Sequence, residues 1–215
     1  MSDWNSMVFV VDDDPAMRMS LDSLLRSVGH SVMSFETTQE FQAAQRPDLP
    51  SCLVLDVRLP GQSGLEFQRE LARLSNPPPI VFITGHGDVP MSVGAMKAGA
   101  IEFLTKPFRD QDLLDGVHRA IQLDRSLRSK AASVAEVRMR AATLTPRERE
   151  ILPLVAAGLL NKQIAHELQL SEVTVKVHRA QVMQKLRANS VADLVRFADR
   201  LVAAELDSQA EDNRV

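Results

Sequence analysis

Asp56 closes the apolar run Ser51-Cys-Leu-Val-Leu and stands before Val-Arg-Leu-Pro-Gly. A carboxylate at the exit of a buried strand belongs to the ligand-binding rim of a sheet, not to its core. Two further apolar runs end in matching chemistry. Met7-Val-Phe-Val-Val leads into Asp12-Asp13-Asp14, and Ile101-Glu-Phe-Leu-Thr leads into Lys106-Pro107. Gathered on one edge, Asp12, Asp13 and Asp56 concentrate negative charge that cannot persist unpaired. Mg2+, a hard ion that takes carboxylates, waters and phosphate oxygens, would resolve the repulsion. Asp56 could then act as a nucleophile toward phosphorus and form an acyl phosphate. Lys106 would neutralise one phosphoryl oxygen. The hydroxyl of Thr84, at the end of Ile80-Val-Phe-Ile, could hydrogen-bond another. Gly85-His86-Gly87 follows as a flexible turn able to close over the group.

Each of these residues also has an ordinary structural role. Aspartates after strands cap helices, lysine before proline is solvated, and threonine is a good strand residue. Their recurrence at consecutive strand ends is what points to chemistry, and it requires a particular frame. Strand-like runs fall near 7–11, 30–35, 52–55, 80–84 and 101–104. Amphipathic stretches separate them at 15–28, 37–45, 63–74, 89–98 and 110–123. Five such units in that order predict a doubly wound, five-stranded parallel α/β sheet covered by helices on both faces. Asp14-Pro15 reads as an N-cap with proline at the first helical position, and Gly29 and Gly99 read as helix stops.

The chain has 215 residues, enough for two domains, and its 45% apolar and 25% charged content is that of an ordinary folded protein. No stretch approaches the roughly 20 apolar residues of a membrane span, and the start lacks a signal pattern. Cys52 lies inside an apolar strand and reads as a buried small hydrophobe. A cytoplasmic home is expected, with no membrane partner. The net charge of −3 is unevenly divided: residues 1–124 hold 10 Lys and Arg against 17 Asp and Glu, whereas 125–215 hold 15 against 11. An acidic half joined to a basic half suggests that only the second meets nucleic acid.

From Leu123 to Ala142 apolar residues recur every three or four positions without glycine or proline, predicting a linker helix over 124–142. Beyond it no strand signal appears. Thr145-Pro146-Arg-Glu opens a helix that Gly158 ends. Helices are expected at about 161–168, 172–187 and 190–204, and a polar, frayed tail over 207–215. Ser171 reads as the N-cap of a helix with Thr174, Lys176, Val177, His178 and Arg179 in its early turns. In a helix-turn-helix the N-terminal part of the second helix enters the major groove. Lysine and arginine there reach phosphates or guanine edges, and valine touches a thymine methyl. Val173, Val175, Val182 and Leu186 are expected to face inward.

Residues 7–123 resemble the receiver domain of two-component response regulators. The resemblance rests on Val-Val-Asp12-Asp13-Asp, Leu-Asp56-Val-Arg-Leu-Pro-Gly-Gln-Ser-Gly-Leu, Phe-Ile-Thr84-Gly-His-Gly-Asp, Ala-Met-Lys-Ala-Gly-Ala and Phe-Leu-Thr-Lys106-Pro107-Phe. It implies a receiver over 1–123 with a flavodoxin-like sheet, phosphorylated on Asp56 by a sensor histidine kinase. It also implies Mg2+ bound by Asp13, Asp56 and the Arg58 carbonyl, with Asp12 holding the ion through water. The Lys106–Pro107 bond would be cis. Phe103 would be the aromatic that moves inward when Thr84 is drawn toward the phosphate. Many relatives carry tyrosine there, so a hydroxyl is no part of a switch in this chain.

Residues 143–206 are similar to the LuxR-type four-helix DNA-binding domain, through Leu144-Thr-Pro-Arg-Glu-Arg-Glu-Ile-Leu, Val155-Ala-Ala-Gly158, Asn161-Lys-Gln-Ile-Ala and Ser171-Glu-Val-Thr-Val-Lys-Val-His-Arg. This implies DNA contacts from Thr174, Lys176, Val177, Arg179 and Ala180, and backbone contacts from Asn161, Lys162 and Lys185. Together the halves resemble the FixJ-like branch of response regulators. That implies a homodimer when phosphorylated, double-stranded promoter DNA as partner, and activation through RNA polymerase. Two other classes fit less well. A phosphatase with an aspartyl-phosphate intermediate would need a carboxylate two residues after the nucleophile, where Arg58 stands. A small-molecule sensor would need an apolar cavity in place of an acidic pocket.

Overall fold

The apolar runs become strands β1 (Met7–Val11), β2 (Ser31–Phe35), β3 (Ser51–Asp56), β4 (Ile80–Thr84) and β5 (Glu102–Thr105). The computed structural model describes the backbone of residues 6–74 and 76–212, and side chains of the same spans up to 206. All strand pairs are parallel, in the order β2-β1-β3-β4-β5. Alternate residues feed two cores, one on each face of the sheet. Phe9, Val11, Leu53, Leu55 and Phe82 pack on the side of α2 (Thr38–Ala43), α3 (Gly64–Leu71) and α4 (Val89–Lys97), with Phe41 and Phe67 among them. Val8, Val10, Cys52, Val54, Val81 and Ile83 pack on the side of α1 (Pro15–Ser27) and α5 (Asp110–Ala142). Burial on both faces is why these strands read as unbroken apolar runs. It also pushes the Cys52 thiol pKa upward, in keeping with a buried hydrophobe.

Local signals set the helix ends. Asp14 Oδ1 accepts from the Ala16 N–H at 2.9 Å, and Ser63 with Glu66 forms a capping box on α3. Gly29 and Gly99 adopt φ of 94° and 92°, the left-handed conformation that closes a helix without a Cβ clash. A further tie is invisible in the sequence. The buried Asp124 of α5 accepts from Ser51 N at 2.7 Å and from Arg128 Nε at 2.7 Å. Strand β3, which carries Asp56 at its far end, is therefore pinned at its start as well.

The chain divides between Arg128 and Ser129, inside α5. The second unit adds α6 (Pro146–Ala156), α7 (Asn161–Leu168), α8 (Glu172–Lys185) and α9 (Val191–Asp212). Its core gathers Val137, Leu144, Ile151, Leu152, Val155, Ile164, Val175, Val182, Leu186, Leu194 and Phe197. Thr145 caps α6, with Glu148 completing a capping box, as its sequence suggests. Two expectations are corrected. Helix α9 continues to Asp212, so the backbone of 207–212 is helical instead of a frayed tail; no glycine or proline interrupts it. Residues 213–215 lie outside the described residues. Val173, expected in the core, is 74% exposed. Residues two apart on a helix point in nearly opposite directions, so Val173 cannot share the inward face that Val175 occupies. Among the described residues, no helix is long and apolar enough to cross a membrane.

Candidate functional site

In a sheet of this order the ligand crevice lies at the carboxyl ends of β1 and β3, where the winding direction reverses. Asp12 follows β1 and Asp56 ends β3, so the topology alone brings them side by side. Lys106, just beyond β5, reaches across to both: its Nζ lies 2.7 Å from Asp12 Oδ2 and 2.7 Å from Asp56 Oδ2. The remaining oxygens are held by backbone. Asp12 Oδ1 accepts from Asp14 N at 2.9 Å, and Asp56 Oδ1 accepts from Arg58 N at 2.9 Å. Arg18 Nη1 donates to the Asp12 carbonyl at 2.7 Å, fixing the β1 exit. Asp12, Asp13 and Asp56 each offer a carboxylate oxygen within 4.8 Å of the others, with Asp13 exposed to solvent.

The electrostatics are unbalanced. Burial holds the Asp12 carboxyl above its ordinary range, and the proximity of Asp56 adds to this; the bond from Lys106 and the Asp14 N–H pull the other way without prevailing. Burial would lower the Lys106 ammonium, but hydrogen bonds to Asp12 and Asp56 outweigh it and raise the pKa. Lys106 thus serves two buried carboxylates, with the exposed Asp13 beside them. Hard oxygen donors with surplus negative charge, one of them open to solvent, fit a hard divalent ion.

Neighbouring loops complete the site. Ile83 pairs with Asp56 across β3 and β4, which puts Thr84 at the next position of the rim. Thr84 is buried; its Oγ1 accepts from His86 N at 3.3 Å and its carbonyl accepts from Lys106 N at 2.7 Å. The Lys106–Pro107 bond is cis. Phe103 is half-buried, its ring centroid 6.1 Å from that of Phe82. Two glycines let backbone approach these groups. A Cβ on Gly64 would stand 2.4 Å from the Asp56 carbonyl oxygen, and one on Gly87 would stand 2.9 Å from Phe103 Cε1. Both glycines lie in motifs visible in the sequence, but the close approaches that require them do not.

In the second unit, Ser171 caps α8: its Oγ accepts from Thr174 N at 3.1 Å and lies 2.7 Å from the Thr174 hydroxyl. Val173, Lys176, Val177 and Ala180 recur at three- and four-residue spacing and are exposed. Thr174 and Arg179 are half-buried, and Arg179 Nη1 donates to Asn161 Oδ1 at 3.1 Å, tying α8 to the start of α7. Lys162 is exposed. Leu160 caps α7 without a side-chain bond, and Gln163 Oε1 accepts its N–H at 2.7 Å instead. Lys185 behaves differently from the rest. Its Nζ lies 2.7 Å from Oε2 of the buried Glu148, a partner 37 residues away that sequence reading missed.

A parallel sheet with this acidic switch point, followed by a capped helix pair with an exposed recognition face, defines a signalling receiver joined to a DNA-binding module. Residues 8–118 match the family model described as response regulator receiver domain, and residues 142–198 match that of bacterial regulatory proteins, luxR family. The chain belongs to the response regulators that join these two domains. It is 55% identical over 196 residues to nodulation protein W of Bradyrhizobium diazoefficiens, covering 91% of this chain and 86% of that one. It is 44% identical over 193 residues to transcriptional regulatory protein FixJ of the same species, covering 90% and 94%. Among solved structures, response regulator StyR superposes with a TM-score of 0.87 at 49% identity, over 91% of this chain and 99% of that one. Its receiver implies a sensor kinase as partner, and its luxR-family domain implies DNA binding.

Proposed function

We propose that Asp56 accepts a phosphoryl group from a sensor histidine kinase and that this event controls operator binding. The observation that carries the reading is one ammonium, Lys106, 2.7 Å from both Asp12 and Asp56 at the sheet's switch point. A carboxylate oxygen of Asp56 attacks the phosphorus of a phosphohistidine. The P–O bond forms as the P–N bond breaks, and the imidazole leaves and takes up a proton. Asp13, Asp56 and the Arg58 carbonyl would hold Mg2+, with Asp12 acting through water. When bound, the ion supplies positive charge where the phosphoryl oxygens gather. Lys106 then exchanges an Asp56 oxygen for a phosphoryl oxygen. The Thr84 hydroxyl donates to another, leaving space that the Phe103 ring can enter.

Helix α4 exposes Val89, Val93 and Met96 at helical spacing, an apolar face next to β5 that suits a homodimer of phosphorylated receivers. Two LuxR-type domains acting together would grip a two-half-site promoter in the cytoplasm at high effective concentration. Thr174, Lys176, Val177, Arg179 and Ala180 face the groove, while Asn161 and Lys162 hold backbone. Lys185 is left out because its charge is already matched by Glu148. Promoter-bound dimers would then activate transcription through RNA polymerase.

Selection of genomic fragments by the full-length protein, with and without Mg2+ and beryllium fluoride, tests the reading. Wild type should enrich a few promoters only when activated, and Asp56→Asn should enrich none in either condition. Equal enrichment in both conditions, or a response from the variant, would overturn it.

A further inference from the structure

Val173 is the second residue of α8 and has 74% of its surface exposed, more than the 52% of Val177 one turn later. A β-branched residue gains nothing at such a place. It is a mediocre helix former, and its methyls remain hydrated. Glu172 before it and Lys176 after it show that charge is tolerated at this end of the helix. Val173, Lys176, Val177 and Ala180 form one exposed stripe, with Val173 at the end that penetrates deepest when a recognition helix enters DNA. In the major groove the thymine C5-methyl is the apolar group on a standard base edge, so a hydrocarbon side chain has one complementary target there. Residues four apart on a helix place their Cβ atoms roughly 5–6 Å from each other. That spans between one and two base steps of about 3.4 Å.

From this stripe we infer that Val173 is a specificity-determining residue, which with Val177 reads thymine methyls on neighbouring base steps of each half-site while Lys176 between them holds a phosphate or a guanine edge. The inference rests on the proposed DNA-binding role of α8 and assigns it a ligand chemistry, the 5-methylpyrimidine edge. Each contacted methyl contributes about one buried carbon, worth roughly fourfold in affinity per half-site.

The test uses the full chain activated by Mg2+ and beryllium fluoride, and an operator enriched by selection. The same duplex is made with thymine or with uracil, which lacks only the methyl. Wild type should bind the uracil duplex more weakly. Val173→Ala should bind the thymine duplex roughly fourfold more weakly per half-site than wild type, and its thymine-to-uracil ratio should shrink by the same factor. Alanine is the better helix former, so circular dichroism should show an intact fold. A thymine-to-uracil ratio equal in the two proteins would overturn the inference while leaving DNA binding by α8 standing. No selective binding of any duplex by the activated wild type would overturn both.

Discussion

Lys106 and Lys185 each place an ammonium 2.7 Å from a buried carboxylate, one in each half of the molecule. At Lys185 the account is balanced. Burial would raise the Glu148 carboxyl, but the bond from Lys185 and those from Thr145 outweigh it and hold the carboxyl below its ordinary range. At Lys106 one cation serves two buried carboxylates with an exposed third beside them, and Asp12 rises. A matched pair fastens α6 to α8 and needs nothing further. A mismatched cluster leaves carboxylate charge that a bound cation would offset. Identical distances therefore accompany opposite shifts, with the Glu148 carboxyl held down and the Asp12 carboxyl held up.

Removing each lysine should break this symmetry. Lys106→Ala strands Asp12 and Asp56 without a cation and should lower the stability of the first unit by about 3 kcal/mol. Saturating Mg2+ should recover much of that loss, because the ion replaces the missing charge. Calorimetric unfolding with and without Mg2+ measures both effects; an Mg2+-independent loss would mean that the three carboxylates do not form a cation site. Lys185→Ala should destabilise the second unit by about 2 kcal/mol, the scale of one charge-assisted hydrogen bond, and Mg2+ should not restore it.

Acid separates the two centres further. A carboxyl whose folded pKa is depressed contributes stability above its unfolded value, and loses it as pH falls through the folded one. Glu148 should therefore stabilise the second unit fully above its ordinary value of 4.5 and progressively less below it. Lys185→Ala should flatten that dependence in the second unfolding transition. The buried Asp12 has the opposite sign: its contribution is favourable below its ordinary value of 3.8 and lost as pH rises through the raised one. An identical acid profile for wild type and Lys185→Ala would show that the pair is not what lowers Glu148.

Much of the receiver was legible because its chemistry sits where apolar runs stop. Asp12, Asp56, Thr84 and Lys106 each follow or end a strand, so a parallel sheet suffices to collect them. The second unit was harder to read. Its charges are spread along helices, and periodicity does not say which cation is already matched. Nothing in the spacing shows that Lys185 pairs with Glu148, 37 positions away, or that Asp124 holds Ser51 across 73. The valine spacing alone does not separate Val173 from Val175; their positions around the helix do, since residues two apart diverge.

The smallest expected effect concerns a residue whose role is purely steric. Gly87 is not in the left-handed region, so glycine is needed there for space alone. A Cβ would meet Phe103 Cε1 and Thr105 Cγ2 at 2.9 Å and Thr84 Cγ2 at 3.1 Å. All three neighbours are side-chain atoms that can shift, so Gly87→Ala should reduce stability by only about 1 kcal/mol. Thr84 and Phe103, however, are the two residues whose coupled movement the proposed switch uses. An added methyl wedged between them should hold the ring in one position and narrow the gain in operator affinity on beryllium fluoride addition, with Asp56 still accepting the group. Measured affinities with and without beryllium fluoride give that ratio directly. A ratio unchanged from wild type would mean that Phe103 does not move with Thr84, and that the signal leaves the acidic pocket by another route.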